Sequence, residues 1–253
     1  MLASWSLCQR ELVRFYRQKS RMVGVIGSPL VFWFLIGSGL SKSFRHPGTT
    51  GDVNYLEYFF PGTIVLIILF TAIFSTISII EDRQEGFLQS VIVAPISRSS
   101  IALGKILGGT ILSLIQAVIL LLLTPFLGIH LSLVSLLIIF VSLFITAFGL
   151  TGLGFLIAWR MDSSQGFHAI MNLFLIPMWL LSGALFPASG AAGWLSSIMA
   201  VNPLSYGIAS LRQCFYLDGH VTTVELAPLP INLLVMAGFA LIMFYFSASS
   251  VRK

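Results

Sequence analysis

The sequence predicts an all-α integral membrane protein with six transmembrane helices. From residue 106 to residue 159 the chain has no Asp, Glu, Lys or Arg, and this stretch is long enough for two crossings of about 20 residues each. Hydrophobic residues make up 57% of the chain and charged residues 9%, against roughly 25% charged residues in soluble domains. Similar apolar blocks lie before and after this stretch. We therefore expect one transmembrane domain, 1–253, in the cell membrane.

Residues 2–21 are predicted to form an amphipathic helix that lies flat on the membrane. Its apolar residues share one helical face: Trp5, Cys8, Leu12 and Phe15. Its basic residues line the opposite face: Arg10, Arg14, Arg17 and Arg21. A basic stripe opposite an aromatic one is typical of helices on anionic lipids. The alternative, a cleaved signal peptide, is disfavoured because the apolar run that follows, 22–40, is longer than the roughly 7–15 residues of a signal peptide's apolar region.

Six apolar spans can be drawn at 22–40, 58–80, 106–127, 131–159, 167–186 and 229–249. An even number of spans places both termini on the same side. Eleven of the 14 Lys and Arg residues then fall on that side: Arg10, Arg14, Arg17, Lys19, Arg21, Arg83, Arg98, Lys105, Arg160, Arg252 and Lys253. Positive residues favour the cytoplasm, so both termini are predicted to be cytoplasmic, with loops 41–57 and 187–228 outside.

Segment 81–105 interrupts the spans on the predicted cytoplasmic side. It carries the charged residues Glu81, Asp82, Arg83, Glu85, Arg98 and Lys105. Between them lies a helical apolar patch made of Phe87, Leu88, Val91 and Ile92. Pro95 ends any helix there. The pattern indicates a short amphipathic helix presented to the cytosol, which is either a docking helix for a partner or a connection lying on the membrane surface.

Segment 188–212 on the outer side is apolar but too short to cross the membrane twice. Asn202 and Pro203 break it near the middle, and each half is shorter than a span. Because backbone at membrane depth must have its hydrogen bonds satisfied internally, we expect an external re-entrant helical hairpin. Trp194 and Tyr206 are residue types suited to the interface.

The sequence contains no motif for chemistry of its own. It has no GxxxxGK[ST] loop and no HExxH pair, and its two cysteines, Cys8 and Cys214, are far apart in sequence. We expect no catalytic residue, no metal site and no nucleic-acid binding, since the net charge of +5 follows the predicted topology. Polar residues within the spans either line a pathway or bond helix to helix: Thr71, Ser75, Ser113, Gln116, Thr146, Thr151, Asn172 and Ser182.

Three segments carry a resemblance to a known family. EDRQEG at 81–86 is followed by VAPISR at 93–98, LSGALFP occupies 181–187, and NPLSYGIASLR occupies 202–212. Together with the six-span layout and the N-terminal amphipathic helix, these motifs resemble the ABC-2 type permeases. Those proteins are the membrane subunits of ATP-driven ABC exporters, and the resemblance is to their drug-exporter branch.

The resemblance implies partners and a role for each motif. A separate ABC ATPase would bind ATP and Mg²⁺, this chain would bind no cofactor, and two copies would form a homodimer among membrane lipids. The residues that contact the ATPase would be Glu81, Asp82, Arg83, Glu85, Gly86, Pro95 and Arg98. Residues of the outer gate would be Pro187, Asn202, Pro203, Tyr206 and Arg212. Candidates for the substrate path in spans two and five are Thr71, Ser75, Asn172 and Ser182.

The expected activity is movement of an amphipathic or lipid-like substrate, such as a drug, lipid or glycolipid, out of the cytoplasm. The competing hypothesis is an ion-coupled secondary carrier, which requires ionisable residues within its spans. The sequence disfavours that hypothesis because His168, at the end of the fifth span, is the sole candidate. A membrane enzyme or scaffold is disfavoured because the sequence shows no catalytic constellation.

Overall fold

A computed structural model describes residues 2–40, 55–129, 131–187, 191–217 and 227–251. These residues form α-helices connected by short turns, and no strand occurs among them. The helices are α1 (Leu2–Arg17), α2 (Lys19–Leu40), α3 (Tyr55–Gln84), α4 (Phe87–Val93), α5 (Arg98–Leu121), α6 (Leu133–Ala158), α7 (Ser164–Leu180), α8 (Gly193–Val201), α9 (Pro203–Phe215) and α10 (Leu229–Ser250). The predicted all-α fold is confirmed.

Five described segments are long and apolar enough to cross a membrane: Met22–Gly39, Tyr55–Gln84, Arg98–Leu121, Leu133–Ala158 and Leu229–Ser250. They correspond to five of the six predicted spans, so the chain is a multi-pass membrane protein. The remaining predicted span, 167–186, contains α7, which has 17 residues and ends at Leu180. That length is at the lower limit of about 17–25 residues for a crossing, and the count of six spans stays a prediction.

Helix α3 is the central helix of the bundle. It packs against α2, α5, α6, α7 and α9. Its sequence is apolar on every side, and residues such as Phe59, Ile64 and Ile68 are fully buried. A helix that is hydrophobic all round belongs in a core. With 30 residues, α3 is about 45 Å long, so it connects the two ends of the molecule.

Helix α6 packs closely between α3 and α10 because glycines remove side chains from its contact faces. A Cβ atom on Gly149 would lie 2.8 Å from Phe239 of α10, and one on Gly154 would lie 2.8 Å from Thr76 of α3. Such glycines allow the backbones of membrane helices to approach each other. The backbone of α6 therefore lies close to both α3 and α10 at these glycines.

Serine residues fix where three helices begin. The hydroxyl oxygens of Ser97, Ser132 and Ser163 each accept a hydrogen bond at 3.2 Å from a backbone N–H in the first turn of α5, α6 and α7. Gly86, with φ +78°, precedes α4, and Ala94 ends that helix just before Pro95. The predicted break at Asn202 is also present, because α8 ends at Val201 and α9 begins at Pro203.

Several predicted features lie outside the described residues. They include most of loop 41–57, positions 188–190 of the predicted hairpin and the basic residues Arg252 and Lys253. The remaining hairpin residues form α8 and α9. Their depth in the membrane and the side on which the termini lie stay predictions.

The variant Gly62→Ala is expected to lower the midpoint of thermal unfolding in detergent. A Cβ at this position would lie 2.8 Å from the Cβ of Ala184 and 3.1 Å from its Cα, so the backbone would have to move. Overpacking of this kind costs about 1–3 kcal/mol. The matched control is Gly238→Ala on α10, where the added Cβ meets nothing within 4 Å. Equal unfolding midpoints for the two variants would contradict the packing of α3 described above.

Candidate functional site

Two polar clusters lie near opposite ends of α3. The charged cluster consists of Arg10, Glu11, Arg14, Asp82 and Lys105, from α1, α3 and α5. The hairpin cluster consists of Tyr58, Trp179, Gly183, Asn202 and Arg212. It surrounds the turn after α7, near the first turn of α3. Asp82 and Tyr58 are 24 positions apart on α3, which corresponds to about 36 Å along the helix.

Asp82 is the centre of the charged cluster and has no exposed surface. Arg10 binds its carboxylate with both terminal nitrogens, at 2.8 Å from Oδ2 and 2.6 Å from Oδ1. Arg14 Nη1 donates to Oδ1 at 2.7 Å, and Lys105 Nζ donates to Oδ2. One carboxylate therefore holds three cations and joins α1, α3 and α5.

Glu11 supplies a second buried acceptor for Lys105. Lys105 Nζ donates to Glu11 Oε1 at 2.6 Å and to Ser78 Oγ at 3.3 Å, and the Lys105 and Glu11 side chains are both 4% exposed. Buried charges persist only when they are paired and hydrogen-bonded. The hydrogen bond to Asp82 also raises the pKa of Arg10. Each buried charge of the cluster is thus paired with a charge of opposite sign.

Glycine on α5 lets α1 approach closely enough to complete this cluster. A Cβ atom on Gly104 would lie 2.7 Å from the backbone oxygen of Ser4. The face of α1 that packs on α5 is made of Ser4, Leu7, Cys8 and Glu11. Trp5, which the sequence placed on the apolar face, is 53% exposed. Cys8 and Phe15 of the same predicted face are buried, and the placement of α1 on the membrane stays a prediction.

The other residues predicted to couple to an ATPase are distributed around the same end. Arg83 points away from the cluster and donates to the backbone oxygens of Trp159 and Met161 and, at 2.9 Å, to the Asp162 carboxylate. Arg98 Nη1 donates to the backbone oxygen of Val251 at 3.3 Å.

Among the residues predicted to contact the ATPase, the acidic side chains and the turn residues Gly86 and Pro95 differ in how exposed they are. Glu81 forms an ion pair with Arg14 at 2.9 Å, whereas the side chain of Glu85 is 61% exposed. Gly86 precedes α4, and Pro95 after it is exposed. Asp82, being fully buried, offers no surface for a direct contact with a partner. Of the predicted coupling charges, Glu85 and Arg98 lie at the surface.

Helix α4 turns Phe87 and Leu88 of its predicted apolar patch inward. Leu88 is 3% exposed, and the ring of Phe87 is covered by the Arg10 guanidinium, whose carbon lies 3.7 Å from the ring centroid. The exposed apolar residues of α4 are Ile92, at 43%, and Val93, at 86%. Sequence periodicity found the helix but not its orientation, which depends on Arg10, a residue 77 positions before Phe87.

Asn202 joins the two motif segments at the other end of the molecule. Its Nδ2 donates to the backbone oxygens of Met178 and Leu181, at 2.6 and 3.2 Å. Its Oδ1 accepts from the N–H of Leu204 at 3.0 Å and so caps α9, with Pro203 as the first helical residue. The break between α8 and α9 is therefore fastened to the end of α7.

Gly183 accepts the second set of hydrogen bonds in the hairpin cluster. Its φ of +83° is a conformation that glycine adopts without strain, and it presents the Gly183 oxygen to Tyr58 Oη at 3.0 Å and Arg212 Nη2 at 2.9 Å. Arg212 is 2% exposed, and its guanidinium lies 4.0 Å from the Tyr58 ring centroid. Trp179 Nε1 adds a hydrogen bond to the backbone oxygen of Gly62 at 2.8 Å. The sequence indicated Arg212 but not Tyr58 or Trp179.

The other predicted gate residues lie around this cluster. Pro187 is buried at the end of the described segment that follows α7. Tyr206 Oη donates to the backbone oxygen of Ala200 at 2.7 Å, which closes the angle between α8 and α9. The structure thus brings Asn202, Pro203 and Arg212 against the LSGALFP turn.

The four predicted path residues are not brought together within the chain. Thr71 is buried and donates to Gln116 Oε1 at 2.7 Å, and Ser75 is buried beside α5. Ser182 is buried and bonds to the backbone oxygen of Trp179. Asn172 alone of the four is exposed, on the outer face of α7.

Comparison with known proteins shows the family. The sequence profile of the ABC-2 type transporters matches residues 3–216, a range that contains both clusters. The chain belongs to the ABC-2 type transporter family. It is 32% identical over 209 residues to the putative transport permease ycf38 of Cyanophora paradoxa, covering 81% of this chain and 71% of that protein.

Two bacterial relatives of this ABC-2 permease have names that mention drugs or antibiotics. The probable multidrug ABC transporter permease YbhR of Escherichia coli is 25% identical over 180 residues, which cover 68% of this chain and 47% of that protein. The linearmycin resistance permease protein LnrN of Bacillus subtilis is 28% identical over 164 residues, covering 64% and 42%. The predicted resemblance is confirmed, and the chain is a transport permease.

Asp82→Asn is expected to release α1 of the permease from α5. Removing one partner of a buried ion pair costs about 3–5 kcal/mol, and here three cations lose a shared carboxylate. Cys8 reports this change because it is fully buried where α1 packs on α5. Burial, with Glu11 nearby, also raises the pKa of the Cys8 thiol and slows its reaction further. Maleimide labelling of Cys8 should accelerate by at least about tenfold.

Cys214 in the same molecule is an internal reference, because it is buried in α9 at the other end. Asp162→Asn is the matched variant, since Asp162 pairs with Arg83 but its side chain is 89% exposed. An unchanged Cys8 rate in Asp82→Asn, or an equal rise in Asp162→Asn, would show that the charged cluster does not hold α1.

Asn202→Ala is expected to loosen the hairpin cluster and to accelerate labelling of Cys214 rather than Cys8. The substitution removes the cap of α9 and two hydrogen bonds to the end of α7. A lost cap costs about 1 kcal/mol, which corresponds to about a fivefold larger opened population. Asn172→Ala is the control because Asn172 is exposed on α7. Equal Cys214 rates in both variants would contradict the assigned fastening.

Proposed function

We propose that this chain is the permease subunit of an ATP-driven exporter and that a separate ABC ATPase docks on α4. The observation that supports this is the exposure of Val93, at 86%, and Ile92, at 43%, on a short helix bordered by charged residues. Exposed apolar groups surrounded by polar ones are typical of protein-binding surfaces. Glu85 and Arg98 would supply charges at the rim, where they guide the choice of partner.

Arg10 would transmit a displacement of α4 to the rest of the chain. It covers the ring of Phe87 on α4 and at the same time binds the Asp82 carboxylate on α3. Through Asp82, the same contact reaches Lys105 on α5. When the ATPase subunits bind ATP and Mg²⁺ and move together, α4, α1 and the ends of α3 and α5 would therefore shift as one rigid unit.

A second copy of the permease would cover the outer face of α7. The buried face of α7 packs against α3, whereas Asn172, Leu173 and Phe174 are exposed. An amide that faced hydrocarbon without a partner would be costly, so the face that carries Asn172 is unsuited to lipid. In a homodimer this face of α7, together with the partly exposed Phe70 and Phe74 of α3, would border the shared path.

The hairpin cluster would close this path on the outer side. In this arrangement both termini and the charged cluster face the cytoplasm of the cell, as the distribution of Lys and Arg favours. Asn202, Arg212 and Tyr58 hold the hairpin against the end of α7 with hydrogen bonds that a rigid-body movement could break and reform. Pro187, Pro203 and Tyr206 would shape the two ends of the movable segment.

An amphipathic substrate agrees with the exposed face of α7, where the amide of Asn172 lies beside the apolar Leu173 and Phe174, and with the names of the relatives from Escherichia coli and Bacillus subtilis. An ion-coupled carrier has less support. The buried ionisable residues Asp82 and Lys105 pair with each other and with α1, which is the arrangement expected of residues that hold helices together. His168 packs edge-on against Phe74 at 5.4 Å between centroids.

Val93→Glu is expected to abolish co-purification of the ATPase while the permease still inserts and stays folded. A charge at the centre of the proposed apolar contact would be desolvated on docking without a partner, at a cost of several kcal/mol. Tagged permease is purified from its native membrane in mild detergent, and stoichiometric P-loop ATPase is identified by mass spectrometry and by photolabelling with an ATP analogue.

The matched control is Trp194→Glu, which places the same charge at an exposed apolar residue on α8. Loss of ATPase from Val93→Glu but not from Trp194→Glu supports docking on α4. Equal recovery of ATPase with the wild type and with Val93→Glu would contradict docking on α4. Recovery of the wild-type permease without any ATPase would favour the competing hypothesis, an ion-coupled carrier.

A further inference from the structure

An apolar cleft of about 380 Å³ lies between α1, α2 and α5, next to the junction of α1 and α2. Its volume is within the range of about 300–1,000 Å³ for small-molecule sites. The side chains that form its apolar walls come from all three helices: Leu12, Phe15, Ile26, Leu112, Ile115 and Ile119. The walls suit a hydrocarbon chain.

Gln116 adds a polar amide to the largely apolar lining of this cleft. The side chain is 4% exposed, and its Oε1 accepts a hydrogen bond from Thr71 Oγ1 at 2.7 Å. Its amide nitrogen donates to no acceptor among the residues that the structure describes. An amide N–H that faces the cleft can donate to an acceptor oxygen of an occupant.

Arg17 places a positive charge at the edge of the cleft. Arg10 and Arg14 on the same helix bind Asp82, whereas Arg17 makes no ion pair with a carboxylate in the described part of the chain. Arg17 and Val13 line the apolar cleft and also a polar groove of about 640 Å³ alongside α1. The guanidinium therefore lies where an apolar space meets a polar one.

We propose that this cleft binds a single anionic phospholipid from the leaflet on which α1 lies. The phosphate pairs with Arg17, an acyl chain lies along Ile26, Ile115 and Ile119, and an ester oxygen accepts from Gln116. A small inorganic anion would leave the apolar walls uncovered, and in a zwitterionic lipid the head-group cation would offset the pairing of the phosphate with Arg17. A negatively charged lipid satisfies all three features together. This site is separate from the docking surface on α4.

The test is lipid binding to the full-length permease purified in detergent, followed by native mass spectrometry. The probes are phosphatidylglycerol and phosphatidylcholine with identical acyl chains, each titrated alone. Phosphatidylglycerol is expected to bind at least about tenfold more tightly, since both lipids carry a phosphate but the choline cation of phosphatidylcholine offsets its attraction to Arg17. Arg17→Gln should reduce the affinity for phosphatidylglycerol to that for phosphatidylcholine. Ile115→Trp should weaken both lipids, because the larger side chain fills the cleft.

Two variants control for general effects of charge and size. Arg160→Gln removes another exposed arginine, and Leu137→Trp enlarges a residue that is 62% exposed on α6, away from the cleft. Both should bind phosphatidylglycerol as the wild type does, and excess inorganic phosphate should not displace the lipid.

The proposal is overturned if Arg17→Gln keeps the preference for phosphatidylglycerol or if Ile115→Trp binds like the wild type. It is also overturned if Arg160→Gln weakens binding as much as Arg17→Gln, since charge alone would then explain the preference. Displacement by inorganic phosphate would indicate a head-group site without a role for the cleft. No ATPase is present in the experiment, so its result is independent of docking on α4.

Discussion

The Asp82 carboxylate is buried beneath α1, and the arrangement of α1, α3 and α5 at this end depends on keeping that charge satisfied. An unpaired carboxylate in such surroundings would neutralise or force the helices apart. Arg10, Arg14 and Lys105 prevent this with a bidentate contact and two single contacts. The three cations come from α1 and α5. Neither of these helices can move far from α3 without leaving a buried charge unpaired or exposed. These ion pairs therefore hold α1 against α3 and α5, so α1 is part of the transmembrane domain and not a loosely attached surface helix.

The central helix α3 carries this constraint along the length of the molecule. Its first turn provides Tyr58, which holds Gly183, and its last turn provides Asp82. Between them the helix is packed on nearly every side, so bending it would open contacts with several neighbours at once. A force applied beside Asp82 is thus better transmitted as a rigid-body displacement than as a local deformation. This rigidity is the physical reason why α3 could connect the proposed docking surface on α4 with the proposed closure at the hairpin cluster.

Much of the helical architecture could be predicted from the sequence because apolar block length is a strong local signal. Proline located the break at Asn202 and the end of the short helix before Pro95, since it cannot continue a helix. The orientation of α4 and the burial of Asp82 could not be predicted, since both depend on Arg10, more than 70 positions earlier in the chain. The sequence likewise did not distinguish Gln116 from the other polar residues of the spans, because its contact with Thr71 of α3 forms only in the folded chain. Pairings between distant residues are set by packing, and periodicity within a single segment does not encode them.

The basic residues of the N-terminal helix serve two different purposes at two different times. During membrane insertion every Lys and Arg counts toward orientation, while Asp and Glu contribute little, so Arg10, Arg14 and Arg17 act alike. After folding, Arg10 and Arg14 are neutralised by Asp82 and Glu81, and only Arg17 of these three still presents an unneutralised charge within the described structure. A count of charges in the sequence therefore predicts a topology but overestimates the charge that the folded helix presents to lipid. The residual charge is concentrated next to an apolar cleft, where it can select a lipid by its head group.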